Sequence, residues 1–256
     1  MTAELLAQIW KKPTDRDLLR VYADWLASNG EPARAEFMQL SLVDELTPAQ
    51  AKRRGALLAK HRGAWLGAAR PFVYTWEESE ESPGFVSRAQ CSFAKLTAGF
   101  AHVRALGPRL IVNATEPKAK RETIALAKLP LGTLYGLALW ENDKQWITDD
   151  LLATLAPALD GLRALELHPG EARSSDHGWS AMLPHLRSVE HLDLDLGDNP
   201  ERWVELLLDA KPKLKSLSLP GWLDEPLRAR VLRKYPRVTF RDETRSRFNR
   251  ATGYYE

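Results

Sequence analysis

One six-residue pattern recurs through the second half of this chain and restricts its fold more than any other feature. Leu134-x-x-Leu137-x-Leu139 returns as Leu162-x-x-Leu165-x-Leu167, as Val189-x-x-Leu192-x-Leu194 and as Leu214-x-x-Leu217-x-Leu219. A fifth copy, Tyr235-x-x-Val238-x-Phe240, follows, and the first positions step by 28, 27, 25 and 21 residues. The second and third apolar positions of each copy are two residues apart, which puts them on one side of a short strand. A unit this short cannot bury its apolar side alone, so successive copies must stack on one another.

Between the copies lie helical stretches with start signals. Thr148 precedes Asp149 and Asp150, then Leu151, Leu152, Leu155 and Leu159. Asn199-Pro200 precedes Trp203, Leu206 and Leu207, and Asp224 with Pro226 precedes Leu227, Val231 and Leu232. Polar caps before apolar-periodic runs predict helices. Alternating strand and helix makes the strands parallel and the fold class α/β.

The residues flanking the inward leucines then form one outward strip. It holds Tyr135, Gly136, Ala138 and Trp140; Ala164, Glu166 and His168; His191, Asp193 and Asp195; Ser216 and Ser218; and Arg237, Thr239 and Arg241. The strip changes from aromatic to acidic to basic. Trp140 is of the residue type most often found as an interface anchor.

Charge follows the same direction. Residues 1–140 carry 19 basic and 14 acidic side chains, residues 141–210 carry 5 and 15, and residues 211–256 carry 12 and 5, so a formal net charge of +2 conceals a strongly acidic middle. Such asymmetry steers partners and says nothing of fold. With 44% apolar residues the 256-residue chain can build a core. No run approaches the ~18 apolar residues of a membrane span, and Lys11, Lys12 and Pro13 come too early for a signal peptide. A cytoplasmic location is expected. The single cysteine, Cys91, can form no internal disulfide and no multi-thiolate zinc site.

The first sixty-odd residues read as helices. Leu18, Val21, Tyr22, Trp25 and Leu26 share one face of a helix from near Thr14 to Asn29-Gly30, where Gly30 suits the left-handed closing position. A second helix starts at Pro32, favoured in a first turn, with Ala33, Phe37, Leu40 and Met38 on its apolar face. In the resulting hairpin Asp24 and Arg34 sit at comparable distances from the turn. The expected role is a structural ion pair, because a carboxylate beside Trp25 needs a partner and no nearby His, Cys or Ser shares acid–base chemistry.

The stretch LLAQIWKKPTDRDLLRVYADWLASNGEPARAEFMQL, with ALLAKHRGAWLG at 56–67, resembles the bacterial repeat-companion domain, whose marks are a VYADWL-type helix, a glycine turn and an RAEF-type helix. Such domains precede leucine-rich or other repeats, and the resemblance implies a packing adaptor without an agreed activity. Residues 100–241 likewise resemble the leucine-rich repeat family, with Gly99-Phe100 similar to the entry into its first strand and 115–128 supplying the helix. The usual ninth-place asparagine is present only as Asn142; Gly170, Gly197 and Trp222 replace it later. The fold expected is a short leucine-rich-repeat solenoid with an N-terminal all-helical adaptor.

Residues 68–98 carry two candidate strands, near 72–76 and 87–96, around an acidic Ser/Pro/Gly loop, and suggest a hairpin that caps the first repeat. The organisation expected is therefore a helical module at 1–67, a capping hairpin at 68–98, repeats at 99–241 and a basic tail at 242–256.

Three chemistries bear on function. His168, His191, Asp193 and Asp195 form a stripe that could ligate a metal, but no ligand motif supports it against a solvated polar face, and no metal or other cofactor is expected. The Arg-rich end, with Tyr235, Phe240, Phe248, Tyr254 and Tyr255, could stack bases and meet phosphate, but it also suits a solvated cap. Cys91 lies among Ser, Phe and Ala as a buried small residue does, and no nucleophile-elbow serine or phosphate-cradling glycine loop is present. Among nine tryptophans, Trp10, Trp25 and Trp65 suit the helical core and Trp203 a repeat helix, while Trp146, Trp179 and Trp222 suit edges or a contact rim.

The expected activity is non-catalytic binding of a macromolecule, a protein before a nucleic acid and not a membrane, through the strand face. The acidic middle would select a basic partner, and an immunity or regulatory role is one version. Binding of nucleic acid by the C-terminal end and a metal-dependent enzyme are the alternatives.

Overall fold

The computed structural model describes residues 2–141, 146–169, 175–196 and 200–241. Its chain divides into two compact units, residues 1–91 with 98–112, and residues 92–97 with 113–256.

The first unit opens with α1 (Thr2–Lys11), α2 (Arg16–Ser28), α3 (Pro32–Ser41) and α4 (Pro48–Trp65). Asp15 caps α2 by accepting from the backbone N–H groups of Asp17 and Leu18. Thr47 and Gln50 form a reciprocal capping box on α4. Gly30 closes the α2–α3 turn with φ at +88°, a conformation open to glycine at little cost. The buried face of α2 is Leu19, Tyr22, Ala23 and Leu26, while Val21 is 54% exposed. The apolar face is thus rotated from the one the sequence predicts, because Ala23, too small to weigh in the pattern, marks the close approach to α3. On α3 the buried set is Ala35, Phe37 and Met38.

The rotation also undoes the expected Asp24–Arg34 pair. Asp24 lies on the exposed side of α2 and accepts from Gln39 Nε2 at 3.2 Å. Arg34 turns the other way, donating from Nη2 to the Gly84 carbonyl at 2.8 Å and meeting Glu31 at 3.5 Å.

Two antiparallel strands, β1 (Thr75–Glu78) and β2 (Val86–Ser92), pair Trp76 with Ala89 and Thr75 with Gln90. Read from sequence, this hairpin stands apart from the helices. In the structure Phe85, at its turn, joins the core of the helical module, stacking on Tyr22 at 5.5 Å and meeting Trp10 edge-on at 5.6 Å. The module is therefore helices plus a hairpin, not all-helical. Helix α5 (Phe93–Arg104) follows, kinked at Gly99 (φ −112°, ψ 16°), and the division between the units falls within it. Gly99 to Val103 belong to this helix and do not enter a strand.

The chain next forms β3 (Ile111–Thr115) and α6 (Lys120–Ala127), and thereafter strand and helix alternate: β4 (Gly136–Trp140), α7 (Asp149–Leu155), β5 (Ala164–His168), α8 (Asp176–Met182), β6 (His191–Leu194), α9 (Pro200–Ala210), β7 (Ser216–Pro220), α10 (Glu225–Lys234) and β8 (Val238–Arg241). Strands β4 to β8 lie in chain order and every neighbouring pair is parallel. Leu137, Leu165, Leu192, Leu217 and Val238 are direct partners across all five, and Leu139, Leu167 and Leu194 repeat the relation. None of these seven leucines is more than 2% exposed. Full burial of each such side chain contributes about 1.5–3 kcal/mol, so the ladder is a substantial part of the apolar burial in this unit.

Helix starts are tied from one repeat to the next. Asp149, in the first turn of α7, accepts from the Ser175 backbone N–H at 2.8 Å, the Ser175 hydroxyl at 2.7 Å and the Gly178 N–H at 3.1 Å. A Cβ on Gly178 would lie 2.5 Å from Asp149 Oδ1, so only glycine permits this approach. Trp179 and Trp203 are both buried and stacked, with centroids 5.2 Å apart and planes 4° from parallel. Trp179 is thus core, whereas Trp222 is 47% exposed. Asn142, Gly170, Gly197 and Asn199, and the tail from residue 242 with Phe248, Tyr254 and Tyr255, lie outside the described residues.

Candidate binding face

Because the leucines occupy one side of β4 to β8, strand geometry sends the intervening residues to the other. The register aligns Gly136, Ala164, His191 and Ser216 in one row, and Ala138, Glu166, Asp193, Ser218 and Thr239 in the next. Trp140 pairs with His168, and Pro220 with Arg241.

Five predicted residues converge at the C-terminal ends of these strands. The Trp140 ring lies 5.2 Å from that of His168. His168 Nε2 is 3.5 Å from Asp193 Oδ1, and its Nδ1 is 3.6 Å from Asp195 Oδ2. Arg241 meets both carboxylates: Nη1 lies 2.7 Å from Asp193 Oδ1 and Nη2 lies 2.7 Å from Asp195 Oδ1. Its Nη2 also donates to the Leu194 carbonyl at 2.7 Å, and its Nη1 is 3.1 Å from His168 Nε2. The Arg241 contacts to Asp195 and to the Leu194 carbonyl are aligned hydrogen bonds, whereas its contact to Asp193 Oδ1 is an ion pair without that alignment.

Arg241 spans three strand positions to do this. In a flat sheet β8 and β5 would be about 14 Å apart, at ~4.8 Å per strand, with side chains standing upright. Their meeting requires the side chains to lean together, as they do on the inner side of a curved sheet.

Burial pushes the Asp193 carboxyl up, but hydrogen bonding and charge from His168, then the Arg241 charge and a Ser218 hydrogen bond, outweigh it and hold the group below the ordinary carboxylate range. A second cluster lies at the opposite strand ends, where His191 Nδ1 is 2.7 Å from Ser216 Oγ and the Tyr135 ring is 6.3 Å from that of His191. Glu166 lies between the two clusters and is half-buried. Arg237 and Thr239 are exposed and outside both clusters.

The sequence reading places His168 beside Asp195, and so does the structure. It does not anticipate that Arg241 provides the positive charge at this point, where the alternative reading puts a metal. It also misses a row of charges at the strand entrances, where Arg163 and Lys215 both pair with Glu190, the latter at 2.8 Å. These three residues each follow the first apolar position of their repeat, so comparing that single column would have revealed the alternating signs. Among the described residues no helix is long and apolar enough to cross a membrane, and no group of three or more His, Cys, Asp or Glu is arranged to hold a metal ion.

Comparison of the chain with protein-family models, with curated proteins and with solved structures gives no match.

Proposed function

We propose that the second unit is a short leucine-rich-repeat solenoid and that the protein is a non-catalytic module binding another protein through the strand face from Tyr135 to Arg241. The observation carrying this reading is the in-register ladder, which fixes a row of aromatic, imidazole, carboxylate and guanidinium groups on one rigid surface. Rigid presentation lowers the ordering cost of association. The half-buried Trp140, packed on His168, is the apolar anchor.

The geometry modifies the expected choice of partner. Asp193 and Asp195 are already held by Arg241, so a basic partner gains them only by displacing that side chain. A partner that packs on Trp140 and Tyr135 and hydrogen-bonds around the ion cluster fits better than one selected by charge alone. The same pairing argues against a metal-dependent enzyme, since a cation would compete with the guanidinium. The nucleic-acid reading draws on the tail beyond residue 241, and in the described part Arg228 lies over the Phe240 ring at 5.2 Å.

The test is affinity capture from native lysate by the wild-type chain and by Trp140→Ala and Glu166→Lys variants with unchanged circular dichroism. A protein recovered by the wild type and lost with both variants supports the proposal. Equal recovery by all three baits removes this face from consideration.

A further inference from the structure

The ion cluster on the strand face has two parts of different origin. Trp140, His168 and Asp193 come from β4, β5 and β6, and Asp195 follows the end of β6, so consecutive strands in the middle of the unit set two carboxylates beside an aromatic wall. The sheet itself fixes this arrangement, since the Asp195 backbone N–H donates to the Leu167 carbonyl at 2.9 Å. Arg241 comes from elsewhere. Its partner in register is Pro220, and it passes over β7 to reach the carboxylates. Nη1 meets Asp193 Oδ1, while Nη2 donates to both Asp195 Oδ1 and the Leu194 carbonyl, each contact at 2.7 Å. That set of contacts requires a planar fork with two separated nitrogens, which a guanidinium has and an ammonium lacks.

The strand that carries Arg241 is also the least secured of the parallel set. β8 is last in the sheet order, and all four of its residues are partly or fully exposed, whereas β4, β5, β6 and β7 each bury two or more. An end strand of this kind opens at a lower cost in free energy than the strands inside the sheet. Among the described residues, the neighbours of Asp193 and Asp195 able to carry positive charge are Arg241 and His168, so release of Arg241 leaves an acidic site.

We propose that this corner of the face is a receptor for an arginine side chain of the partner protein, and that Arg241 occupies it in cis until the partner's arginine takes its place. The inference rests on the reading of this face as a protein-binding surface and adds the side chain that the partner presents. Exchange of one guanidinium for another leaves neither carboxylate bare, which removes the penalty that any other displacement of Arg241 incurs. The Trp140 ring, packed on His168, offers apolar surface to the methylenes of the incoming side chain. The tethered arginine weakens the partner in proportion to the fraction of chains in which it is seated, so the end of β8 sets the affinity.

The test is isothermal titration of the full chain with the peptides acetyl-Gly-Arg-Gly-amide and acetyl-Gly-Lys-Gly-amide. Arg241→Ala binds the arginine peptide at one equivalent, at least ten-fold more tightly than it binds the lysine peptide and at least ten-fold more tightly than the wild type binds either. Adding Asp195→Asn to Arg241→Ala weakens that binding ten-fold or more. Arg241→Gln, which keeps a donor for the Leu194 carbonyl, gives the same contrast where the alanine chain does not fold. Absence of saturable heat with the folded variants overturns the proposal. So does equal binding of the two peptides, equal affinity in the wild type, or undiminished binding with Asp195→Asn. These failures leave intact a partner captured through Trp140 and Glu166, whereas equal capture by the variants at those two positions sinks the face itself.

Discussion

Arg241 Nη2 lies 2.7 Å from Asp195 Oδ1 although β7 separates their strands, and the same guanidinium holds Asp193. One cation thereby keeps two half-buried carboxylates together, Asp193 in β6 and Asp195 just beyond its end. Arg241→Ala should destabilise the protein by about 1–2 kcal/mol, less than a fully buried pair because the carboxylates keep some solvent. Urea unfolding should show a lower midpoint with an unchanged slope. Adding Asp193→Ala and Asp195→Ala to the same chain should recover part of the loss, since the unpaired charges are then gone.

The same cluster sets a pH dependence. Asp193 titrates in the folded protein below its unfolded value of ~3.9. Its ionised form is therefore favoured by folding, so its contribution is fully present above the unfolded value and is lost as pH falls through the lower folded one. The urea midpoint of the wild type should fall more steeply below about pH 4 than that of Asp193→Asn, and parallel curves would count against the assignment.

How much of this was legible depended on which distances a residue pattern encodes. Leu137, Leu165, Leu192 and Leu217 could be aligned from sequence because a repeat imposes its own register. Their outward neighbours came with them, since a strand alternates faces. The Arg241 contacts were not legible, because they depend on side chains converging across strands that no local pattern counts. In the helical module the face of α2 was misjudged for a related reason: Val21 looks more buried than Ala23 by hydropathy, but close helix packing favours the smaller side chain. Phe85 lay in a Ser/Pro/Gly loop and carried no periodic signal linking it to Tyr22 and Trp10.

Two substitutions in that module separate exposed from buried roles. Asp24→Ala removes an exposed carboxylate whose partner is Gln39, and should change stability by no more than about 0.5 kcal/mol. Phe85→Ala removes a ring that is 3% exposed and in contact with Tyr22 and Trp10, and should cost about 3–5 kcal/mol. Thermal unfolding of the two variants side by side decides the matter. A larger loss for Asp24→Ala would restore a structural role for that carboxylate.

Tyr235 offers a spectroscopic check on the fifth repeat. Burial pushes its phenol up to about 12, and its hydroxyl donates to the Pro212 carbonyl at 3.3 Å. In an alkaline titration followed near 295 nm, the signal lost in Tyr235→Phe should be the one ionising well above the ~10 of a free tyrosine. Since the neutral phenol is favoured by folding, the stability it brings is present below about pH 10 and is lost as pH rises through the folded value. A Tyr235 signal titrating near 10 would mean that the side chain is solvated and that the last repeat does not close over it.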